Sequence, residues 1–245
     1  MIKQTNIEYL GRKAKRSDSQ ATLNAILEAT LLIIAAEGIS GIRHRLVAKR
    51  AGVPIGAISY YFKNKSDLIA DAFMFYIEHT HEYTQAIRDK TNNLLSNRSR
   101  AELEIPEVRR SIAKLLGDYI ADYTELVKSH RTYQIVDQAF RHEAVRNPRL
   151  AQLIGASDKH DIETFAKFFE RLGSPDPEAD AMMILPTCWY LSEESLLHGD
   201  NAETKERVRA MIQHTCLRLI AAPQPEVVAP VKKTVSYAGN AVRIG

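Results

Sequence analysis

Apolar residues recur every three to four positions along most of the chain, and no stretch shows the strict alternation of a half-buried strand. The pattern predicts an all-α fold of about nine helices. The first runs from about Ser19 to Glu37, with Leu23, Ile26, Leu27, Thr30, Leu31 and Ile34 on one face, and Gly38 ends it. Two short helices follow, about Arg43 to Ala51 and Pro54 to Tyr61. The fourth opens at Asn64 or Lys65, where Asn64 suits the N-cap and Asp67 complements the helix dipole. Its stripe of Leu68, Ile69, Ala72, Phe73, Tyr76, Ile77 and Thr80 continues to about Leu95. Residues 96–105 read as a polar break. Five more helices are expected over Pro106 to Ser129, Arg131 to Arg146, Pro148 to Leu172, Asp176 or Pro177 to His198-Gly199, and Glu203 to Ala221. Pro186 is expected to bend the eighth.

These elements divide into a flexible basic arm (1–18), a small three-helix domain (19–66), a helical body (67–222) and a tail (223–245) that lacks helical period and is expected to be disordered. With 245 residues and 27.6 kDa, the chain is large enough for two domains. Only two cysteines, Cys188 and Cys216, argue against a disulfide-built secreted fold. The first residues are polar and basic rather than signal-like, and the longest apolar run, Leu31 to Ala36, is too short to span a bilayer. The expected location is cytoplasmic, with no membrane partner. Charge is uneven. Residues 1–65 hold 11 Lys and Arg against 4 Asp and Glu, a net +7, which leaves −4 for the remainder of a chain of net +3. A basic head on a mildly acidic body is the footprint of a protein that docks one end on nucleic acid. Arg12, Lys13, Lys15 and Arg16 in the arm fit either a minor-groove or phosphate contact or a solubilising tail.

The densest signal is residues 42–68, IRHRLVAKRAGVPIGAISYYFKNKSDL. Ala48 is small, so a second helix can cross closely above it. Gly52, four residues on, suits a turn that wants positive φ. Ile58, six further, returns an apolar side chain to the helix junction. Val47, Val53 and Ile55 add apolar surface, while Arg43, Arg45, Lys49, Arg50, Lys63 and Lys65 are left for phosphates. That is helix-turn-helix spacing, and it predicts binding to double-stranded DNA with the third helix in the major groove. Pro54, Ile55, Gly56, Ala57, Ser59 and Tyr60 are placed to face bases or phosphates. The helix lacks Arg, Asn and Gln, the usual bidentate readers of bases. Readout is therefore expected from the Ser59 hydroxyl, from Ala57 against thymine methyls, and from Arg45 on the preceding helix.

The stretch from about Ser19 to Phe73 resembles the DNA-binding domain of the TetR (tetracycline repressor) family of transcription regulators. Val47-Ala48 stand for that family's I-A, while Ala51-Gly52-Val53, Gly56, Phe62, Lys65 and Leu68 fall in register and Ile58 stands for Leu. Pro54 replaces the usual Ser, which still suits a first helical turn. Ser59 replaces a common Tyr, with tyrosines at 60 and 61 instead. Ile42 and Arg43 occupy positions where Thr often caps the second helix, so its phosphate contact passes to Arg43, His44 or Arg45. By this resemblance Arg45, Ala57, Ser59, Tyr60, Tyr61 and Lys65 fall on DNA-contacting positions. Tyr61 has a second reading, as packing beneath the motif.

The resemblance also implies a homodimer, paired through the last two helices at Met182, Leu185, Trp189, Leu196, Val208, Met211, Ile212, Thr215 and Leu219. These are too many for one stripe of a peripheral helix, and two subunits forming a four-helix bundle would bury them. Intramolecular core is the alternative. A small-molecule pocket in the body is implied too, with Phe73, Tyr76, His79, Tyr119, Tyr123, Tyr133, Phe140, Phe165 and Trp189 as candidate lining, although aromatics at helical spacing are also ordinary core. The function expected is a repressor that binds a palindromic operator and is released by a small effector. A constitutive DNA-binding or protein-docking factor is the runner-up.

An all-α enzyme is the remaining alternative, and little favours it. His79 and His81 diverge on a helix and cannot share a metal. There is no G-x-S-x-G, P-loop or C-x-x-C. No cofactor is expected. Cys188 and Cys216 read as two inert buried thiols or as a redox switch.

Overall fold

A computed structural model describes residues 9–11, 17–129, 131–198 and 201–221. Among them there are ten α-helices and no strand, so the all-α fold class holds. In chain order they are α1 (Ser17–Glu37), a 3-10 turn (Ile39–Gly41), α2 (His44–Ala51), α3 (Ile55–Tyr61), α4 (Lys65–Ser96), α5 (Arg100–Glu104), α6 (Pro106–Ser129), α7 (Arg131–Ala144), α8 (Pro148–Arg171), α9 (Pro177–His198) and α10 (Ala202–Ile220). The expected polar break contains α5. Its signal is a capping box: the Ser99 hydroxyl accepts from the Glu102 N–H at 3.3 Å, and the Glu102 carboxylate accepts from the Ser99 N–H at 2.8 Å. Asn64 does cap α4, its side-chain oxygen accepting from the Asp67 N–H at 2.8 Å. α9 continues through Pro186.

One compact unit takes the described residues up to His81 together with Thr132–Ser157. The predicted stripe of α1 is buried in full, and it shares a core with Val47, Ala48, Ile58, Phe62, Leu68 and Phe73. The unit runs beyond residue 66 because α7 and the start of α8 supply Val136, Phe140, Leu150 and Leu153 to the same core, with Phe140 set edge-on to Phe73 at 5.3 Å. By length and composition α1 is apolar enough to cross a membrane, contrary to the reading of Leu31 to Ala36 alone. Its apolar side chains fill this core instead. Part of the expected arm is docked. Asp71, 1% exposed, accepts the backbone N–H groups of Leu10 and Gly11, each at 2.7 Å, and Tyr9 donates its hydroxyl to Glu78 at 2.6 Å. Burial raises the Asp71 carboxyl, and the two N–H bonds oppose that shift. Arg12, Lys13, Lys15, Arg16 and the tail lie outside the described residues.

The second unit comprises Glu82–Arg131 and the described chain from Asp158 onward. Its core gathers Leu94, Leu95, Ile112, Leu116, Phe168, Phe169, Ile184, Val208 and Ile212. α6 and α10 come together at Gly117, where an added Cβ would sit 2.9 Å from the Cα of Gln213. Arg209 holds Asp118 and Asp122, each at 2.8 Å, along the same contact. Arg109 ties three helix ends. Its guanidinium donates to the carbonyls of Leu103 (2.7 Å), Ile220 (3.3 Å) and Leu172, which belong to the ends of α5, α10 and α8. Arg88 on α4 pairs with Asp161 on α8; burial raises the Asp161 carboxyl and Arg88 lowers it. α4 itself is continuous, its first half in one unit and its second half in the other.

Candidate nucleic-acid interface

The turn is built from backbone. α2 starts at Arg43 without a side-chain cap, the Arg43 carbonyl accepting from Leu46 and Val47, both at 2.9 Å. It ends at Gly52, at φ 68° and ψ 27°, whose N–H bonds back to the carbonyls of Ala48 and Lys49 while the Val53 N–H reaches Ala48 at 3.0 Å. This is a Schellman closure, and the left-handed residue it needs costs an L side chain about 1–2 kcal/mol. α3 then leaves at a new angle, held by the fully buried Ile58 against Val47 and Ala48 in one core.

Ile55, Gly56, Ser59, Tyr60 and Lys63 are exposed along α3 and at its exit, whereas Ile58 and Phe62 are buried. Ile55 is 56% exposed and Tyr60 55%. Gly56 stands open: a Cβ there would meet nothing within 4 Å. Arg43, Arg45, Lys49, Arg50, Lys63 and Lys65 are all exposed, and no Asp or Glu occurs between Gly38 and Ser66. Pro54 is exposed in the N-cap position of α3, Lys65 is exposed as the first residue of α4, and His44 is half-buried. Two expected contacts turn inward. Ala57 is half-buried against the core, and Tyr61, 7% exposed, donates its hydroxyl to the Ser19 carbonyl at 3.0 Å. Tyr61 thus fastens α3 to α1, the packing alternative for this residue.

The nine aromatic and histidine candidates for a pocket fall in two groups. In the first unit Phe73, Tyr76, Tyr133 and Phe140 lie ring to ring at 5.3–6.1 Å, with the Tyr76 hydroxyl 3.4 Å from Asp137. His79 stacks on Phe75 at 3.9 Å and bonds its carbonyl through Nδ1 at 2.8 Å. Tyr119, Tyr123, Phe165 and Trp189 belong to the second unit, where Tyr119 and Phe165 pack on the core and Lys90 lies over the Tyr119 ring at 5.6 Å. Sequence reasoning missed Gln134 on α7. This buried amide has neither its oxygen nor its nitrogen hydrogen-bonded, and a lone Gln on an amphipathic helix carries no signal of that.

The residues expected to pair subunits also separate. Leu185, Val208 and Ile212 are buried in the second unit's own core, and Leu219 packs on it. Burial within the chain takes them off a surface. Met182, Trp189 and Met211 are exposed, Thr215 is half-buried, and the Leu196 side chain lies outside the described residues. Met183, Tyr190, Leu197 and Leu217 are exposed as well. Burial pushes the Cys188 thiol up to about 12 and raises Cys216 too, which keeps both protonated at neutral pH.

Residues 26–72 match the family described as bacterial regulatory proteins, tetR family, and residues 108–234 match the tetracyclin repressor-like, C-terminal domain. The HTH-type transcriptional regulator AcrR of Shigella flexneri is 39% identical over 62 residues, which are 25% of this chain and 28% of that protein. The chain therefore aligns with well under two thirds of this curated relative. A transcriptional regulator from Rhodococcus sp. Rha1 superposes with a TM-score of 0.57 at 21% identity, covering 82% of this chain and 98% of that one. The SmeT–triclosan complex does so at 0.58 and 16% identity, covering 86% and 99%. At these identities the two structures support the fold.

Proposed function

The chain belongs to the TetR family of DNA-binding transcriptional regulators, and from that premise we propose that it is a homodimeric repressor, released from a palindromic operator by a small molecule. The observation that carries the DNA reading is the exposed face of α3, which carries Ile55, Gly56, Ser59 and Tyr60, within a stretch whose six Lys and Arg are exposed and which holds no carboxylate between Gly38 and Ser66. Such cations neutralise phosphates and set register, leaving the helix to meet base edges. One head covers few base pairs, so useful affinity needs two heads on two half-sites. Met182, Met183, Trp189, Tyr190, Leu197, Met211 and Leu217 are the exposed apolar residues that a second copy would cover.

SmeT is a relative in fold that binds triclosan, and an apolar aromatic effector is the corresponding proposal here. The half-buried Tyr76 and Tyr133, the Phe73–Phe140 pair and the unsatisfied Gln134 amide support a site on α4 and α7 of the first unit. Release requires the effector to bind the DNA-incompetent state more tightly than the competent one. Selection of bound duplexes from a random DNA pool tests the first part: an enriched palindrome supports a two-headed regulator, and no enrichment by a folded dimer refutes operator binding by this protein alone. Titration with apolar aromatic compounds, read as loss of a selected duplex, tests the second.

A further inference from the structure

We propose that Ile55 reads a thymine methyl in the major groove, so that half-site specificity rests on apolar contact at the start of α3. The inference rests on the DNA-binding reading above and deepens it. Ile55 is the first residue of α3, and the N-terminal residues of a recognition helix are those that meet base edges. The head does not need this side chain for packing. Ile58, Tyr61 and Phe62 anchor α3 in the core, while Ile55 stays 56% exposed.

Within α3 itself nothing supplies a bidentate reader. Gly56 has no side chain, and Ser59 offers one hydroxyl. The open space over Gly56 lets a base edge approach next to Ile55 without meeting a Cβ. In the major groove only thymine presents a methyl group; adenine, guanine and cytosine present polar atoms that an isoleucine would strip of water and leave unpaired. The surrounding cations fit a phosphate backbone and would repel a basic partner.

The test uses duplexes enriched from a random pool, with each thymine replaced in turn by uracil, which lacks only the methyl. Wild-type protein should bind about fourfold more weakly when the contacted thymine of one half-site is changed, and about fifteenfold when both are, from the usual value of one buried carbon. Ile55→Ala should bind thymine and uracil duplexes equally, and Ile55→Leu should keep the discrimination. The residue is exposed, so thermal melting should show both variants folded. Uracil-blind binding by the wild type, or full sensitivity retained in Ile55→Ala, overturns the thymine contact and leaves the regulator reading standing. Failure of the wild type to bind any duplex overturns that reading and this one together.

Discussion

Two surfaces of this protein expose large apolar side chains, and they differ in what surrounds them. On α3, Ile55 and Tyr60 stand among six cations in a stretch without a carboxylate. On α9 and α10, Met182, Met183, Trp189, Tyr190, Leu197, Met211 and Leu217 stand among charges of both signs, including the Glu194–Arg207 pair at 2.5 Å. The first arrangement is complementary to a uniformly charged polymer and useless against its own copy, which it would repel. The second carries both signs, which suits the pairing with a second copy proposed above. Apolar exposure alone would have assigned both surfaces the same role. The sign pattern at their edges separates them.

The strongest way to break this distinction is to charge the second surface. Met183→Glu with Met211→Glu leaves the core untouched, since both residues are exposed, and should weaken self-association at least about a hundredfold. Sedimentation should show monomers of unchanged helicity; an intact dimer would move the interface elsewhere. On the first surface, Gly52→Val forces a β-branched residue to φ 68° and should lower DNA affinity about tenfold or more while the dimer persists. Gly52→Asn, which tolerates that conformation, should stay close to wild type. Normal DNA affinity in the valine variant would refute the turn.

Gly56→Ala sharpens the comparison by opposing two readouts. The added methyl meets nothing within the head and improves helix propensity, so stability should rise by about 0.5–1 kcal/mol. DNA affinity should fall severalfold, because the same methyl would stand in the way of the groove. A gain in melting temperature with unchanged DNA binding would place the duplex away from Gly56. The smallest effect is expected at the rim. Lys65→Ala should weaken all sequences alike and flatten the slope of log affinity against log salt by about 0.9 per half-site, about 1.8 for a two-headed complex; an unaltered slope removes Lys65 from the phosphate contacts.

The two surfaces were not equally legible in the sequence. The helix-turn-helix lies within 27 consecutive residues, and its spacings are local consequences of helix geometry, so Ala48, Gly52 and Ile58 could be assigned from their separations alone. Among the expected DNA contacts Tyr61 is buried and His44 and Ala57 are half-buried, which their spacing alone did not indicate. The helix ends at Pro106, Pro148 and Gly173 were readable for the same local reason. α9 is apolar around most of its circumference, and period cannot say which side its own subunit covers. Leu185 therefore faces inward and Met183 outward with nothing in their spacing to separate them. The docking of Leu10 and Gly11 was invisible because the acceptor, Asp71, lies 60 residues away. The capping box at Ser99 and Glu102 was visible and was passed over in a run that read as polar.

Arg109 is the feature with the longest reach. Every partner it holds is a main-chain oxygen, so the tie itself does not depend on the side chains of Leu103, Leu172 and Ile220, which the core constrains separately. The hydrogen bonds constrain the residue type at Arg109 alone. A search for correlated changes between positions would pass over a joint that gathers three helix ends, because three of its four members take part through the backbone alone.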